Sequence, residues 1–200
     1  MSQRIVGVVL AGGASSRLGR DKAALNVNGV TMLARTVDLL RGLAPEVAVS
    51  GRDPMPLGAD APWFEDEIRG AGPIGGIATA LNRYKAPCFC VSCDLPLLTR
   101  DVLVLLMWAR EDRSPEQVMT TFHDPVTGYI ESLVALYEPE ALPLLVNAAA
   151  RGVYKLSEAI PPDVRQHVPY PMNAETTFMN VNTPEDLERF RELESRGERR

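Results

Sequence analysis

The sequence predicts an α/β protein built on a mostly parallel sheet with helices on both faces. Short apolar runs typical of buried strands alternate along the chain with longer runs whose apolar residues recur every three or four positions. Several strand-like runs end in small or acidic residues, which are common where a strand leaves a sheet. Because alternating strands and helices assemble into parallel sheets covered by helices, we expect a single domain over residues 1–200.

The first half of the chain alternates regularly between the two kinds of run. Residues 4–10 (RIVGVVL) indicate a buried strand, and residues 30–43 indicate a helix because their apolar residues share one face. Residues 75–84 indicate a second helix. Further strands are expected in three short apolar runs, at 46–51, 61–66 and 88–94.

The middle of the second half departs from this alternation. Residues 99–113 predict a helix with Thr99 as its N-cap. The strand-like runs at 118–124 and 129–138 follow each other without a helix between them. Since two strands joined by a short connection pair in opposite directions, we expect an antiparallel pair here.

The C-terminal part contains a clear helix start. The sequence TFMNVNTPEDL predicts a strand that ends at Asn182, followed by a helix with Thr183 as N-cap and Pro184 in its first turn. The charged residues from about 195 to 200 are expected to fray into solvent.

Composition and charge exclude several classes of protein. The net charge is −5, with 46% apolar and 24% charged residues. Proteins that bind nucleic acid or a membrane surface usually carry a basic face, so we expect neither partner. No apolar run reaches the roughly 18 residues of a membrane span, and the N-terminal run is too short for a secretory signal. We therefore expect a cytoplasmic protein in which any anion site is local.

The cysteines do not predict a metal site. Cys88, Cys90 and Cys93 lie in one strand-like run. Side chains alternate between the two faces of a strand, so one ion could not reach all three sulfur atoms. His123 and His167 stand in other segments without the spacing of paired ligands. We interpret the cysteines as small buried residues of the core.

The loop after the first strand is glycine-rich and basic, with the sequence LAGGASSRLGRDK at 10–22. It fits neither the P-loop pattern nor the dinucleotide-binding pattern. Gly12 and Gly13 still allow backbone N–H groups to approach a ligand at the carboxyl end of a strand, where open α/β sheets bind ligands. Arg17 and Lys22 supply a planar fork and a point charge, a pair suited to a polyphosphate. The alternative is a strand-to-helix turn with solvated basic residues.

Two aspartates are expected at the same edge of the sheet. Asp94 closes an apolar strand in the sequence SCDLP, where a carboxylate can hold Mg²⁺ bridged by phosphates or can serve as a turn residue. Asp66 closes another strand in the sequence FED. The glycines of GAGPIGG, at 70–76, provide backbone that either approaches a substrate or forms an ordinary turn.

Taken in order, the motifs LAGGASSRLGRDK, FED, GPIGG, CDLP and NVNTPEDL resemble the molybdenum cofactor guanylyltransferase family over most of the chain. The first motif also fits other nucleotidyltransferases, whereas its combination with NVNTPEDL is specific. The resemblance implies a Rossmann-like nucleotidyltransferase fold that binds GTP and Mg²⁺ and transfers GMP to the terminal phosphate of molybdopterin cofactor, with release of pyrophosphate. GTP and molybdopterin cofactor are thus the expected partners, with molybdoenzyme-maturation proteins as further candidates.

The resemblance also implies a role for each matching residue. Asp94 is expected to be the Mg²⁺ ligand, and Arg17 to stabilise charge on the transferring phosphoryl group, so that Arg17, Lys22 and Asp94 form the catalytic set. Asn180 and Asn182 are expected to face the pterin substrate, with Asn182 close to the metal. Asp66 is expected to contact the guanosine. The whole implied nucleotide site comprises Leu10, Ala11, Gly12, Gly13, Lys22, Asp66 and Asp94.

The chain departs from the family pattern at two places. Ser50 and Gly51 stand where the family often has an asparagine that contacts the base. Glu131 and Ser132 stand where the family often has a His-Pro pair.

Three alternative functions remain open on the sequence. They are a cytidylyltransferase for the same cofactor, a sugar-phosphate nucleotidyltransferase, and a non-catalytic nucleotide-binding subunit that delivers cofactor. Guanylyl members of the family resemble this chain in reading Leu-Ala-Gly-Gly where cytidylyl relatives read Leu-Ala-Ala-Gly, which places the difference in base choice at Gly12. The joint presence of Arg17, Lys22 and Asp94 favours catalysis over delivery.

Overall fold

The structure is a computed structural model that describes residues 4–12 and 21–197. Its strands are β1 (Val6–Leu10), β2 (Asn26–Val27), β3 (Val30–Thr31), β4 (Glu46–Ser50), β5 (Trp63–Phe64), β6 (Cys88–Ser92), β7 (Met119–His123), β8 (Ile130–Tyr137) and β9 (Arg165–Pro169). Within the described residues, seven of them form one sheet in the order β5-β4-β1-β6-β8-β7-β9, and β2 pairs with β3 in a separate hairpin.

The helices largely follow the periodicity of the sequence. They are α1 (Met32–Arg41), α2 (Pro73–Tyr84), α3 (Arg100–Glu111), α4 (Leu142–Ala150), α5 (Leu156–Ala159), α6 (Ala174–Thr177) and α7 (Pro184–Gly197). The predicted helices at 30–43, 75–84 and 99–113 are therefore confirmed with slightly different ends. Thr99 does precede α3, but its side chain accepts no capping hydrogen bond. No helix in the described part of the chain is both long and apolar enough to cross a membrane.

The parallel half of the sheet is centred on β1, which pairs with β4 on one side and β6 on the other. Leu10, the last residue of β1, lies opposite Ser50 of β4 and Ser92 of β6. Since all three strands run in the same direction, their carboxyl ends meet at one edge of the sheet. This edge is where the sequence predicts the ligand site.

The other half of the sheet contains the expected antiparallel pair. β8 runs antiparallel to both β6 and β7, and β9 is parallel to β7. The start of β8 therefore lies at the same edge as the carboxyl ends of β6, β7 and β9. The pairing of β7 and β8 shifts register between Thr121 and His123, close to this edge.

Helices cover both faces of the sheet and bury two separate cores. On one face, Ile77 and Leu81 of α2 pack with Val8 and Tyr137. On the other face, apolar residues of α1 and α3 pack with alternate residues of the same strands, such as Val9 and Val91. Side chains of a strand alternate between faces, so near-continuous apolar strands are what such a two-sided sheet requires.

The three cysteines are buried in these cores with free thiols, as the sequence predicts. Cys88 and Cys90 lie in the core under α2, and Cys93 lies in the core under α1 and α3. Burial raises the pKa of the Cys88 and Cys93 thiols to about 12. These thiols are therefore protonated at neutral pH and serve as core side chains.

The segment before α7 is not the strand that the sequence predicts. Residues 178–183 make no strand pairing; instead, the Val181 N–H donates to the carbonyl of Asp94 at 3.0 Å. The helix start is confirmed, because Thr183 Oγ1 accepts from the Asp186 N–H at 3.2 Å and the Asp186 carboxylate accepts from the Asn182 and Thr183 N–H groups at 2.9 Å. α7 continues to Gly197, and the predicted fraying of the tail stays a prediction.

A buried ion cluster joins α3 to the end of β8. The side chain of Glu138 is only 2% exposed and accepts from Arg110 Nε at 2.6 Å, while Arg113 Nε lies 3.0 Å from the same oxygen. A buried carboxylate is tolerated only with such partners, because removing charges from water is costly.

Replacing Glu138 should therefore destabilise the fold strongly. We expect Glu138→Gln to lower the free energy of unfolding by about 3–5 kcal/mol, since two largely buried guanidinium groups lose their counter-charge. Urea unfolding measures the change. The matched control is Glu65→Gln, which breaks the exposed pair between Glu65 and Arg69 and should cost less than about 1 kcal/mol. Equal losses in the two variants would contradict the assignment.

Candidate active site

The ends of β1 and β4 form the floor of the candidate site. The Ala11 N–H donates to the Ser50 carbonyl at 3.1 Å, and the Gly51 N–H donates to Phe64 at 2.8 Å. These bonds extend the sheet by one residue past the strands. Gly12 then stands exposed at the edge, as the glycine motif predicts.

Gly51 allows β4 to end unusually close to the glycine loop. Its φ is +96°, a conformation that favours glycine, and a Cβ built on it would lie 2.6 Å from the Cα of Gly12 and 2.7 Å from its nitrogen. Gly12 itself has more room, since its own Cβ would be 3.7 Å from the nearest atoms, in Asp66 and Gly51. The two strand ends therefore touch through backbone alone.

A pocket opens beside Gly12 and is called the basic pocket here after its two cationic side chains, Lys22 and Arg52. Lys22 begins a single 3₁₀ turn, and the Asp21 side chain caps this turn by accepting from the Ala23 N–H at 3.1 Å. The Lys22 ammonium donates to the side-chain oxygen of Asn182. Across the pocket, the Arg52 guanidinium pairs with Asp21. The pocket is lined by Leu10, Ala11, Gly12, Asp21, Lys22, Ala23, Arg52, Ser92, Cys93 and Asp94.

Arg52 is a site residue that the sequence analysis missed. Its Nε is buried and makes no hydrogen bond to the described residues. The sequence feature that could have indicated it is its position: Arg52 is the second residue after β4, which ends at the ligand edge of the sheet. Arg52 and Lys22 are the two cationic side chains among the described residues of this pocket, and Asp21 and Asp94 balance their charge.

Asp94 is held by neighbours from two parts of the chain. Ser92 Oγ donates to Asp94 Oδ1 at 2.6 Å. The Asn180 amide faces the same carboxylate, and the orientation that satisfies both groups donates to its two oxygens at 3.1 and 3.3 Å. Asn180 reaches Asp94 and Asn182 reaches Lys22 because Val181 between them is tied to the Asp94 backbone. The two asparagines thus lie at the site although the predicted strand that carried them is wrong.

Asp66 lies in a second cavity next to the basic pocket. Ser50 Oγ donates to Asp66 Oδ1 at 2.6 Å, which fixes the carboxylate. This cavity of about 370 Å³ continues from the basic pocket, with which it shares Leu10, Gly12, Ser92 and Asp94. Gly72 and Gly76, at the start of α2, bring backbone to its wall.

A third cavity lies on the antiparallel side of Asp94 and was not predicted. It measures about 670 Å³, and Asn180 forms its border with the Asp94 region. Its lining is aromatic and acidic: Asp124, Pro125, Thr127, Tyr129, Glu131, Pro169, Tyr170, Ala174, Glu175, Phe178 and Asn180. These residues come from three segments, 124–131, 169–170 and 174–180, so no single local motif predicts the cavity.

The structure thus brings most of the predicted site residues together at one edge. Leu10, Ala11, Gly12, Lys22 and Asp94 line the basic pocket. Asp66 lines the adjoining cavity, and the two asparagines contact residues of the basic pocket. Gly13 and Arg17 lie outside the described residues, so their predicted roles stay predictions. Within 4–12 and 21–197, no group of three or more His, Cys, Asp or Glu side chains could hold a metal ion.

Comparison with known proteins agrees with this architecture. The sequence profile of the MobA-like NTP transferase domain matches residues 7–166. A probable molybdenum cofactor guanylyltransferase from Carboxydothermus hydrogenoformans is 28% identical over 94% of this chain and 95% of its own length. One from Nostoc is 32% identical over 92% of this chain and 88% of its own. A solved structure from Archaeoglobus fulgidus, molybdopterin-guanine dinucleotide biosynthesis protein A, superposes with a TM-score of 0.75 and 25% identity, covering 96% of this chain and 99% of that chain.

The mostly parallel sheet covered by helices and the matching sequence profile are those of a nucleotidyltransferase, and the protein is an enzyme of this class. Within the class, the chain belongs to the MobA-like NTP transferase domain family.

The contact between Gly51 and Gly12 can be tested by substitution. Gly51→Ala should disturb the glycine edge, because its methyl group would overlap the Gly12 backbone. We expect a stability loss and at least about tenfold weaker binding of a nucleoside triphosphate, measured by calorimetry, from a steric clash of more than about 1.4 kcal/mol.

The matched control for this test is Gly58→Ala. Gly58 has φ +80° but no atoms within 4 Å of a built Cβ, so alanine there carries only the backbone strain of about 1–2 kcal/mol. Nucleotide binding by the Gly58 variant should be unchanged. Nucleotide affinity that is the same in both variants would show that the close approach has no part in the site.

Proposed function

We propose that this enzyme transfers GMP from GTP to the terminal phosphate of molybdopterin cofactor, giving the guanine dinucleotide form and pyrophosphate. The observation that carries the proposal is the junction at Asp94 between a basic pocket at the glycine edge and a separate aromatic cavity. The names of the curated relatives support the choice of substrates.

In the basic pocket, the triphosphate would contact two cationic side chains and the exposed backbone of Gly12. Gly12 exposes backbone at the end of β1, and Lys22 and Arg52 face the same space. An ammonium and a guanidinium neutralise adjoining phosphates in different ways, the first as a point charge and the second as a fork. Arg17 would add a third cation from the loop that follows Gly12.

The guanosine would occupy the cavity that continues past Gly12 toward Asp66. The Asp66 carboxylate is already oriented by Ser50, so it can accept hydrogen bonds from the nucleoside without reorganising. Gly12 lies between this cavity and the basic pocket. The absence of a side chain there leaves width for a purine.

The donor set around Asp94 suits Mg²⁺. Asp94 is a hard carboxylate ligand, and it lines the same pocket as Lys22, which donates to the side-chain oxygen of Asn182. The described residues offer no cluster of three ligating side chains, so phosphate oxygens and water would complete the coordination, as is usual for Mg²⁺. When bound, the ion would offset negative charge on the phosphates.

The protein's own residues then position two anions for reaction. The acceptor phosphate is already ionised, so no general base is needed to create the nucleophile. Lys22 and Arg52 hold the triphosphate, while Asn180 can orient the acceptor phosphate through its amide. Alignment and charge neutralisation supply the rate enhancement in such a transfer.

Two remaining expectations belong with this proposal. We propose a cytoplasmic location, in which molybdopterin cofactor is handed over between proteins, with molybdoenzyme-maturation proteins as further partners. Incubating the purified enzyme with each nucleoside triphosphate, Mg²⁺ and molybdopterin cofactor, followed by mass analysis of the dinucleotide, tests the reaction directly. Formation of a cytidine dinucleotide instead would overturn the choice of base.

Asp94 should be essential for turnover. Asp94→Asn keeps the shape of the side chain but removes its charge, so we expect a folded protein whose kcat falls by at least about a hundredfold. Asp60→Asn is the control, because Asp60 is exposed and lies away from the site. A folded Asp94 variant with near-normal turnover at ordinary Mg²⁺ would contradict the assignment.

Gly12 should favour GTP over CTP. A methyl group at Gly12 fits the protein itself, since its nearest neighbours would be 3.7 Å away, so Gly12→Ala should report on the ligand and not on folding. We expect it to penalise GTP relative to CTP by about 1–3 kcal/mol in transition-state binding. The ratio of kcat/KM for the two nucleotides measures this, and an unchanged ratio would mean that Gly12 serves only the phosphates.

A further inference from the structure

We propose that Glu131 determines the specificity for the acceptor by accepting hydrogen bonds from the adjacent amino and ring N–H groups of its pterin. This inference rests on the proposed function, because it assigns the aromatic cavity to the acceptor substrate.

The fold aims Glu131 into the cavity and fixes it there. Glu131 lies at the start of β8, where the antiparallel direction of this strand brings it to the carboxyl edge of the sheet. The Tyr170 hydroxyl, just beyond β9, donates to Glu131 Oε1 at 2.8 Å. Tyr170 is itself packed against Phe122 and Phe178, with ring centroids 6.3 and 5.4 Å away. The carboxylate is thus held by a rigid aromatic support.

Half of this carboxylate remains available for a ligand. Among the described residues, Tyr170 is the hydrogen-bond donor to Glu131. Its hydroxyl donates to Oε1, so Oε2 accepts no hydrogen bond from these residues. Burial raises the pKa of Glu131, and the Tyr170 hydrogen bond lowers it in part, while the charge of Asp94 raises it again. A partly buried carboxylate near a second carboxylate lowers the stability of the fold. A ligand with matching hydrogen-bond donors therefore explains the presence of Glu131 better than a structural role does.

The charges at the two ends of the site favour a ligand with an anionic end and a donor-rich end. Asp124, Glu131 and Glu175 line the aromatic cavity, and no Lys, Arg or His is among its described lining residues. Lys22 and Arg52 line the neighbouring basic pocket together with Asp21 and Asp94, so cationic side chains are available to a ligand at this end of the site. A pterin phosphate has this polarity, since its phosphate is anionic while the 2-amino group and the N3–H point away as parallel donors. Two parallel donors match one carboxylate as a guanidinium does.

The aromatic lining suits the flat ring system. Tyr129 is 58% exposed on one side of the cavity, and Tyr170 lies on another side. Aromatic faces bind planar heterocycles by stacking, and the Glu131 carboxylate then selects among heterocycles of similar size by their edge. A site that is built to accept hydrogen bonds discriminates strongly against an analogue that lacks the donor.

A comparison of pterin with lumazine tests this inference. Lumazine carries a carbonyl oxygen in place of the 2-amino group, so it removes one donor and leaves the ring size unchanged. We expect the wild-type enzyme, studied by calorimetry with 6-carboxypterin and 6-carboxylumazine, to prefer the pterin at least about tenfold. Glu131→Gln should abolish this preference without lowering the melting temperature, because its amide can face the carbonyl of lumazine.

Two further variants sharpen the result. Glu175→Gln removes the same charge from the cavity lining but not the proposed contact, so it should retain the preference for pterin. Tyr170→Phe removes the hydrogen bond that positions Glu131 and should give an intermediate preference. An equal preference in the wild type and the Glu131 variant, or failure of the wild type to bind either compound, would overturn the inference.

The same measurements separate this inference from the proposed function. If the enzyme prefers pterin through Glu131 but forms no guanine dinucleotide, then the proposed transfer reaction is wrong and the acceptor assignment stands. If it forms the dinucleotide while Glu131→Gln leaves both the pterin preference and the KM for molybdopterin cofactor unchanged, then the transfer reaction stands and the role of Glu131 is wrong.

Discussion

The parallel register of β1 between β4 and β6 is the constraint on which the site depends. It places Leu10, Ser50 and Ser92 side by side, so that the residues after each strand enter one small volume. Gly12, Arg52 and Asp94 are brought together in this way although they are far apart in sequence. A shift of one strand by a single residue would turn its side chains to the opposite face and remove its contribution.

The segment before α7 completes the site through backbone contact. The bond from the Val181 N–H to the Asp94 carbonyl fixes the position of the two neighbouring asparagines. Asn180 donates to the Asp94 carboxylate, and Asn182 accepts from the Lys22 ammonium. Both contacts are possible because an amide side chain can donate and accept hydrogen bonds. The contact of Asn180 with Asp94 and the contact of Asn182 with Lys22 are thus coupled by a peptide group and not by a flexible side chain.

Much of this architecture follows from local sequence, and the rest follows from long-range pairing. Strand ends, the helix at Pro184 and the buried cysteines are set by periodicity, capping and apolar character within a few residues. The segment 178–183 alternates like a strand, but the Val181 N–H donates to the carbonyl of Asp94 and the next two N–H groups donate to the Asp186 side chain, not to a neighbouring strand. The pair of Glu131 and Tyr170 spans 39 residues and meets only because β8 and β9 flank β7, which no local pattern reveals.

The segment of the chain that matches the family profile ends before the part of the chain that packs into the fold and contributes to the candidate site. The profile shared by the family stops at residue 166, inside β9. A truncation there would cut this edge strand and remove both asparagines of the site. It would also uncover Val27 and Met32, which pack against Met179, Val181 and Phe190. Recombination at the profile boundary would therefore yield a sheet with a frayed edge, an exposed apolar patch and an incomplete candidate site.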